Sequence, residues 1–269
     1  MGDFAQRIVC LTEETTETLY LLGEERRIVG ISGFTVRPPR ARREKPRVSA
    51  FTSANLEKIV ALAPDLVLGF SDLQADIAAA LVRAGIEVHV FNQRSVAQIL
   101  RMVRTLGGLI GCAARAQALA RELAAGLDAV ARRAAQRPRR PRVYFEEWDA
   151  PQISAIAWVS ELIGIAGGED CFPELAREPL GRQRIIADPL EVPRRAPDII
   201  LGSWCGKKFR PERVAARPGW QAVPAVRHGF VREIKSALIL QPGPAALTEG
   251  VRALQAVFEE WSARQTAPS

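Results

Sequence analysis

Two histidines are all that this 269-residue chain contains. His89 falls in a strand pattern and His228 in a tight turn before Gly229, so they do not form the paired imidazoles of a metal centre and read as structural or exposed. Four cysteines, Cys10, Cys112, Cys171 and Cys205, are widely spaced with no C-x-x-C pair. That spacing argues against a structural zinc site and a dense disulfide framework and leaves free thiols. Cys205, beside Trp204, is the single side chain placed to ligate a soft metal, and a small buried thiol is the favoured reading. No apolar run approaches the roughly 20 residues that span a bilayer, so no membrane insertion is expected. G-x-S-x-G, P-loop and dinucleotide fingerprints are missing, the Glu pairs lack an interpretable His or Lys partner, and Ser203-Trp204-Cys205 has no evident base. An enzyme is therefore not expected, nor a catalytic cofactor.

What is present is charge and alternating structure. The formal net charge is +7, with Arg37, Arg40, Arg42, Arg43, Lys45 and Arg47 in one cluster and Arg132, Arg133, Arg137, Arg139, Arg140 and Arg142 in another. Neither cluster is interleaved with exposed aromatics or set on a binding module, so they read as a solvated loop and a solvated helix end rather than a nucleic-acid surface. Met1-Gly2-Asp3-Phe4 runs almost directly into the first strand pattern with no apolar leader, so Cys10 is no lipid-anchor cysteine. As written the protein is expected in the cytoplasm, or in the periplasm if a leader has been removed.

Short apolar runs alternate with helix signals along most of the chain. Ile8–Leu11 reads as a strand, Thr12 as the cap of a helix over 13–22 closed by Gly23, and Ile28–Ile31 as the next strand. Pro38-Pro39 forces an extended connection, and Asn55 caps a helix that ends before Pro64. Strands follow at 66–69 and 87–91, with a helix at 76–84 between them and a Ser95/Gln98 capping box opening the next helix. One long Ala- and Arg-rich helix then covers about 113–136. Beyond it the alternation restarts: a strand at 143–145, a helix at 157–166, a helix near 188–195, strands at 198–201 and 231–234, and a last helix from about 245 to 263. The spacing predicts an α/β protein with mainly parallel sheets: a lobe over 1–110, a connecting helix over 111–137 and a second lobe over 138–269.

The ordered set Arg26-Ile-Val-Gly-Ile-Ser-Gly-Phe34, Pro38-Pro39, Asn55-Leu56-Glu57-Lys58-Ile59 and Ala63-Pro64-Asp65-Leu66 resembles the first lobe of the cobalamin and ferric-siderophore binding proteins of ABC importers. Ile163 to Gly168, Ala196-Pro197-Asp198, Pro218-Gly219-Trp220, Pro224-Ala225-Val226 and Pro242-Gly243-Pro244 follow the order of that family's second lobe. The resemblance implies two Rossmann-like lobes joined by one rigid helix, with the ligand in the cleft between them. It also implies a monomer that binds and hands over a corrinoid or similar metal chelate to an ABC permease. On that reading Phe34, Phe51 and Phe70 stand at first-lobe positions where cobalamin binders carry large aromatics, and Trp148 and Trp204 stand at second-lobe cleft positions. Trp158 and Trp220 fit packing roles better.

Polar groups at the rim point two ways. Glu13 and Glu14, where relatives carry small uncharged residues, and Glu146 with Glu147 on the other lobe suit a cationic or amide-rich ligand, although Glu13 and Glu14 also have a plain role at a helix start. Arg37 suits a ligand carboxylate or phosphate instead. The family docks on its permease through one surface glutamate per lobe. Glu57 matches the first, whereas the second position falls at Leu190 with Glu191 only adjacent. A binding or chaperone protein for a different small ligand, outside any importer, is the alternative on the same scaffold.

Overall fold

The computed structural model of the protein describes residues 3–266; Met1 and Gly2, on which part of the leader reading rests, lie outside the described residues. The chain forms two compact units, 3–93 with 97–123, and 94–96 with 124–266.

In the first unit the order is β1 (Ile8–Cys10), α1 (Glu13–Leu21), β2 (Ile28–Ser32), α2 (Ala41–Glu44), β3 (Arg47–Ser49), α3 (Leu56–Ala61), β4 (Leu66–Phe70), α4 (Ala75–Arg83), β5 (Val88–Phe91) and α5 (Val96–Leu109). All five strands pair in parallel in the order β3-β2-β1-β4-β5. Parallel strands need crossovers, which the intervening helices supply, and helices on both faces bury β1 and β4 completely. Sequence order reverses between β1 and β4, where open α/β sheets open a crevice at their strand ends. The expected Asn55 cap is present, its Oδ1 accepting from the Lys58 amide at 2.8 Å.

The long helix α6 (Ala113–Ala134) begins in the first unit and ends in the second. Ala116, Ala120, Leu123, Leu127, Val130 and Ala134 are buried at three- and four-residue spacing. It therefore carries a packed stripe as well as a polar face, which high Ala content alone does not reveal.

The second unit continues with β6 (Arg142–Asp149), β7 (Gln152–Ser154), α7 (Ala157–Ile165), β8 (Glu169–Asp170), α8 (Pro173–Ala176), α9 (Glu191–Arg195), β9 (Ile199–Gly202), α10 (Pro211–Ala215), α11 (Pro224–Arg227), β10 (Val231–Glu233), α12 (Ser236–Ile239) and α13 (Val251–Thr266). Its sheet runs β10-β9-β6-β7, parallel except for β7, with β8 pairing the start of β6. The sequence pattern missed β7, because β6 continues through Glu146-Glu147-Trp148-Asp149 and turns back at Ala150-Pro151 with no apolar run to mark the return. The helix expected from 188 starts only at Glu191, since Asp188 instead accepts from the Leu190 amide at 2.9 Å and closes a turn. A π-turn over Ala246–Gly250 precedes α13, so the last helix is not one continuous α-helix. Trp158 and Trp220 are core residues as expected, the Trp158 indole donating to the Ile239 carbonyl at 2.9 Å.

Candidate functional site

In the first unit the carboxyl ends of five parallel strands lie along one edge, and the loops that leave them carry the residues picked out in the sequence. Phe34, two residues after β2, is 56% exposed, a large ring left in solvent. Phe51, after β3, is half-buried. Phe70, at the end of β4, is buried in the core, so it offers no face to a ligand in this arrangement. The buried Gln74 ties three of these ends together. Its amide donates to the Phe51 carbonyl at 2.8 Å and to the Leu11 carbonyl at 3.4 Å, and its oxygen accepts from the Phe70 amide at 2.9 Å. A glutamine fits because it alone offers donor and acceptor together on one arm of that length.

Three carboxylates sit under this edge. Glu13, Glu14 and Glu17 lie in the first two turns of α1 and are all buried. The Val36 amide donates to Glu13 Oε2 at 2.7 Å, whereas Glu13 Oε1 is buried with no partner. Burial, opposed by that amide and reinforced by Glu17 and Glu14, pushes the Glu13 carboxyl up to about 8. Burial likewise raises Glu14 to about 7. Gln93 Nε2 approaches Glu14 Oε1 at 3.5 Å. Arg37 Nε pairs with Glu17 Oε1 at 3.0 Å. The guanidinium read as a rim charge thus meets a carboxylate of its own unit in this structure. Helix-start glutamates normally gain from the macrodipole in solvent, but here desolvation outweighs that gain and favours the neutral acids.

The second unit treats its acidic strand end differently. Glu146, fully buried in β6, accepts from Arg217 Nη1 and Nη2 (2.9 Å to Oε1), from the Trp204 indole at 3.0 Å and from the Tyr144 hydroxyl at 2.9 Å. Burial opposes the Arg217 charge, yet Glu146 overrides it and raises the Arg217 pKa. Glu147 pairs with the buried Arg184 through both oxygens, at 2.7 and 3.1 Å. Trp204 is 3% exposed and packs edge-on to Phe209 with ring centroids 4.8 Å apart. That contact needs Gly202, since a Cβ there would lie 1.8 Å from the Phe209 ring. Glu146 and Trp204 are therefore buried within the second unit, each with its polar atoms bonded internally.

Trp148 keeps an accessible ring. It is half-buried against the second core, with its indole donating to the Ala150 carbonyl at 3.0 Å. Lys207 Nζ stands 5.1 Å from its centroid and 5.0 Å from that of Trp204, and is anchored on Asp149 at 2.6 and 2.7 Å. Sequence reasoning missed Lys207, Arg184 and Arg217, which lie far along the chain from the acids they meet. The only signal was a surplus of arginine downstream of an acidic strand end.

Cys205 is exposed, not buried as expected, because it follows Trp204 on a turn that leaves the sheet. Cys10, Cys112 and Cys171 are buried thiols. Among the described residues no group of three or more His, Cys, Asp or Glu is arranged to hold a metal ion. Glu57 is exposed on the first turn of α3, whereas Glu191 pairs with Arg194 at 3.2 Å and Arg195 at 3.0 Å and Leu190 is exposed beside it.

Residues 8–238 match the family model described as periplasmic binding protein. A cobalamin-binding protein of Halobacterium salinarum is 28% identical over 185 residues, which cover 64% of this chain and 50% of that protein, so the chain spans about half the length of that relative. Among solved structures, the periplasmic vitamin B12-binding protein of Vibrio cholerae superposes with a TM-score of 0.77 at 22% identity, over 98% of this chain and 99% of the other. The periplasmic haem-binding protein of Roseiflexus sp. RS-1 superposes with a TM-score of 0.79 at 23% identity, over 94% and 99%. At these identities the superpositions establish the fold, and the match over 8–238 establishes the membership: the chain belongs to the periplasmic binding protein family.

Proposed function

We propose that this protein binds a corrinoid or a similar large metal chelate, without altering it chemically, for uptake or for handling inside the cell. The observation that carries the reading is Phe34, a ring 56% exposed at the carboxyl end of β2, in a family whose relatives include proteins named for cobalamin and haem. Phe51 and Trp148 join it as half-buried aromatics, each on its own unit. Flat apolar area is what a macrocycle offers, at roughly 25 cal/mol per Å² removed from water, so two or three such rings suffice for tight binding. The chelate brings its own metal ligands, and the protein acts as a monomer.

A specific observation favours the alternative of a binding protein outside an importer. The second docking position carries Leu190, and the adjacent Glu191 is held by Arg194 and Arg195. With Glu57 as the single free-standing anchor, steering onto a permease loses one of its two charges. No helix among the described residues is long and apolar enough to cross a membrane. Fractionation of the protein expressed from its natural gene distinguishes handling inside the cell from uptake across the envelope.

Binding is tested by titrating the protein with cobalamin, cobinamide and haem, following tryptophan fluorescence and heat, with the ligand mass measured afterwards. All five tryptophans, Trp148, Trp158, Trp204, Trp220 and Trp261, lie in the second unit, so quenching reports on that unit. Saturable one-to-one binding of a corrinoid with unaltered mass supports the proposal. Preference for haem transfers it to another chelate, and binding of none overturns it.

A further inference from the structure

The first unit contains a polar concavity beside the loop that carries Phe51. A pocket of about 330 Å³ opens at the edge of its sheet, between the end of β3 and the start of α3, lined by Arg47, Ser49, Ser53, Asn55 and Lys58 among others. Its walls are fixed by backbone. The Asn55 amide donates to the Val48 carbonyl at 2.9 Å, the Ala50 amide donates to the Ser53 carbonyl at 2.8 Å, and Ser49 bridges Ala54. Lys58 Nζ donates to the Arg47 carbonyl at 2.7 Å, which fixes the ammonium at the wall with two N–H groups left over. The Arg47 side chain is exposed, and neither cation pairs with a carboxylate among the described residues. The Ser49 hydroxyl is buried with no hydrogen-bond partner. The end of α3 is not the recognition element, since Asn55 already caps its first turn.

We propose that this pocket binds a small oxyanion, a phosphate or carboxylate group. An unpaired guanidinium presents a planar fork that matches two oxygens, a fixed ammonium adds a point charge, and the orphaned hydroxyl gains an acceptor. Arg42 and Arg43, exposed on the preceding α2, add to the positive potential of this edge. The role that Arg37 was expected to play toward an anion thus moves to Arg47 and Lys58. The inference does not depend on the identity of the chelate, so each stands or falls alone.

The test is an amide-shift titration of the whole protein with inorganic phosphate and, separately, with acetate, at constant ionic strength set with sodium chloride. The proposal expects saturable shifts centred on Ser49, Ala50, Ser53 and Lys58. It also expects an affinity at least about tenfold weaker in Arg47→Gln/Lys58→Gln, with less than about twofold change in Arg42→Gln outside the pocket. Acetate saturating in place of phosphate assigns a carboxylate group, and phosphate saturating alone assigns a phosphate. Shifts that stay linear up to tens of millimolar for both anions, or an affinity equal in the unaltered protein and the double variant, overturn it. Ser49→Ala, a change of one oxygen, supplies the same comparison should the double variant misfold.

Discussion

Both units bury glutamates at the carboxyl ends of their strands, and they do so in opposite ways. In the second, Glu146 is surrounded by donors, with Arg217 on both oxygens and Trp204 and Tyr144 beside it. In the first, Glu13, Glu14 and Glu17 crowd one end of α1, and Glu13 has a buried oxygen with no partner. A buried carboxylate either acquires a full set of donors and stays charged, or it takes up a proton. The second unit gives Glu146 its set of donors, whereas the carboxyls of Glu13 and Glu14 are pushed up to about 8 and about 7.

The largest break in this comparison comes from the paired side. Arg217→Met strands the Glu146 charge in the core, and the second unit is expected to lose roughly 3–5 kcal/mol, the usual cost of removing one partner of a buried pair. Urea unfolding followed by tryptophan fluorescence reads that unit alone, because every tryptophan belongs to it. A loss below about 1 kcal/mol shows that Glu146 has other means of compensation.

The first unit's glutamates predict a pH dependence of defined sign. Because its folded-state value lies above 4.5, Glu13 contributes stability that is complete below about pH 4.5 and is lost as the pH rises through about 8. Glu14 acts in the same direction through about 7. Glu13→Gln keeps the acceptor for the Val36 amide and cannot ionise, so it is expected to match the unaltered protein at pH 4.5 and to exceed it by roughly 1–3 kcal/mol at pH 9. Hydrogen exchange of the α1 amides provides the readout, and parallel pH profiles for the two proteins contradict the neutral-acid account.

A smaller effect sharpens the contrast at the strand ends themselves. Lys207→Met removes an ammonium set over two indoles and held by Asp149, and is expected to cost the second unit about 1 kcal/mol. It also uncovers the Trp148 ring, which a red-shifted emission detects. Phe34→Ala is expected to change stability of the first unit by less than about 0.5 kcal/mol, since the ring is exposed, while chelate binding weakens.

Much of the scaffold was readable because parallel α/β structure leaves local marks: buried runs such as Leu66–Phe70, the Asn55 cap and glycine stops at Gly23 and Gly85. The antiparallel β7 left no such mark, and neither did the π-turn before α13. Around the candidate site the sequence located strand-end positions but not their burial. Phe34 and Phe70 read alike as residues after strands, yet one is in solvent and the other in the core. Arg37 read as a rim charge because Glu17, its partner, lies 20 residues earlier. Arg217 was invisible for the same reason, being 71 residues from Glu146. Partners set by tertiary contact are what a single sequence withholds.

The central claim is that exposed and half-buried aromatics at the strand ends hold a metal chelate. Calorimetric titration with cobinamide of the unaltered protein and of Phe51→Ala/Trp148→Ala, both shown to be folded by circular dichroism, tests it most directly. The account predicts saturable one-to-one binding by the former and an affinity at least about a hundredfold lower in the latter, the loss of two aromatic rings' apolar area. Equal affinity in the folded double variant, or no binding by the unaltered protein, would contradict it.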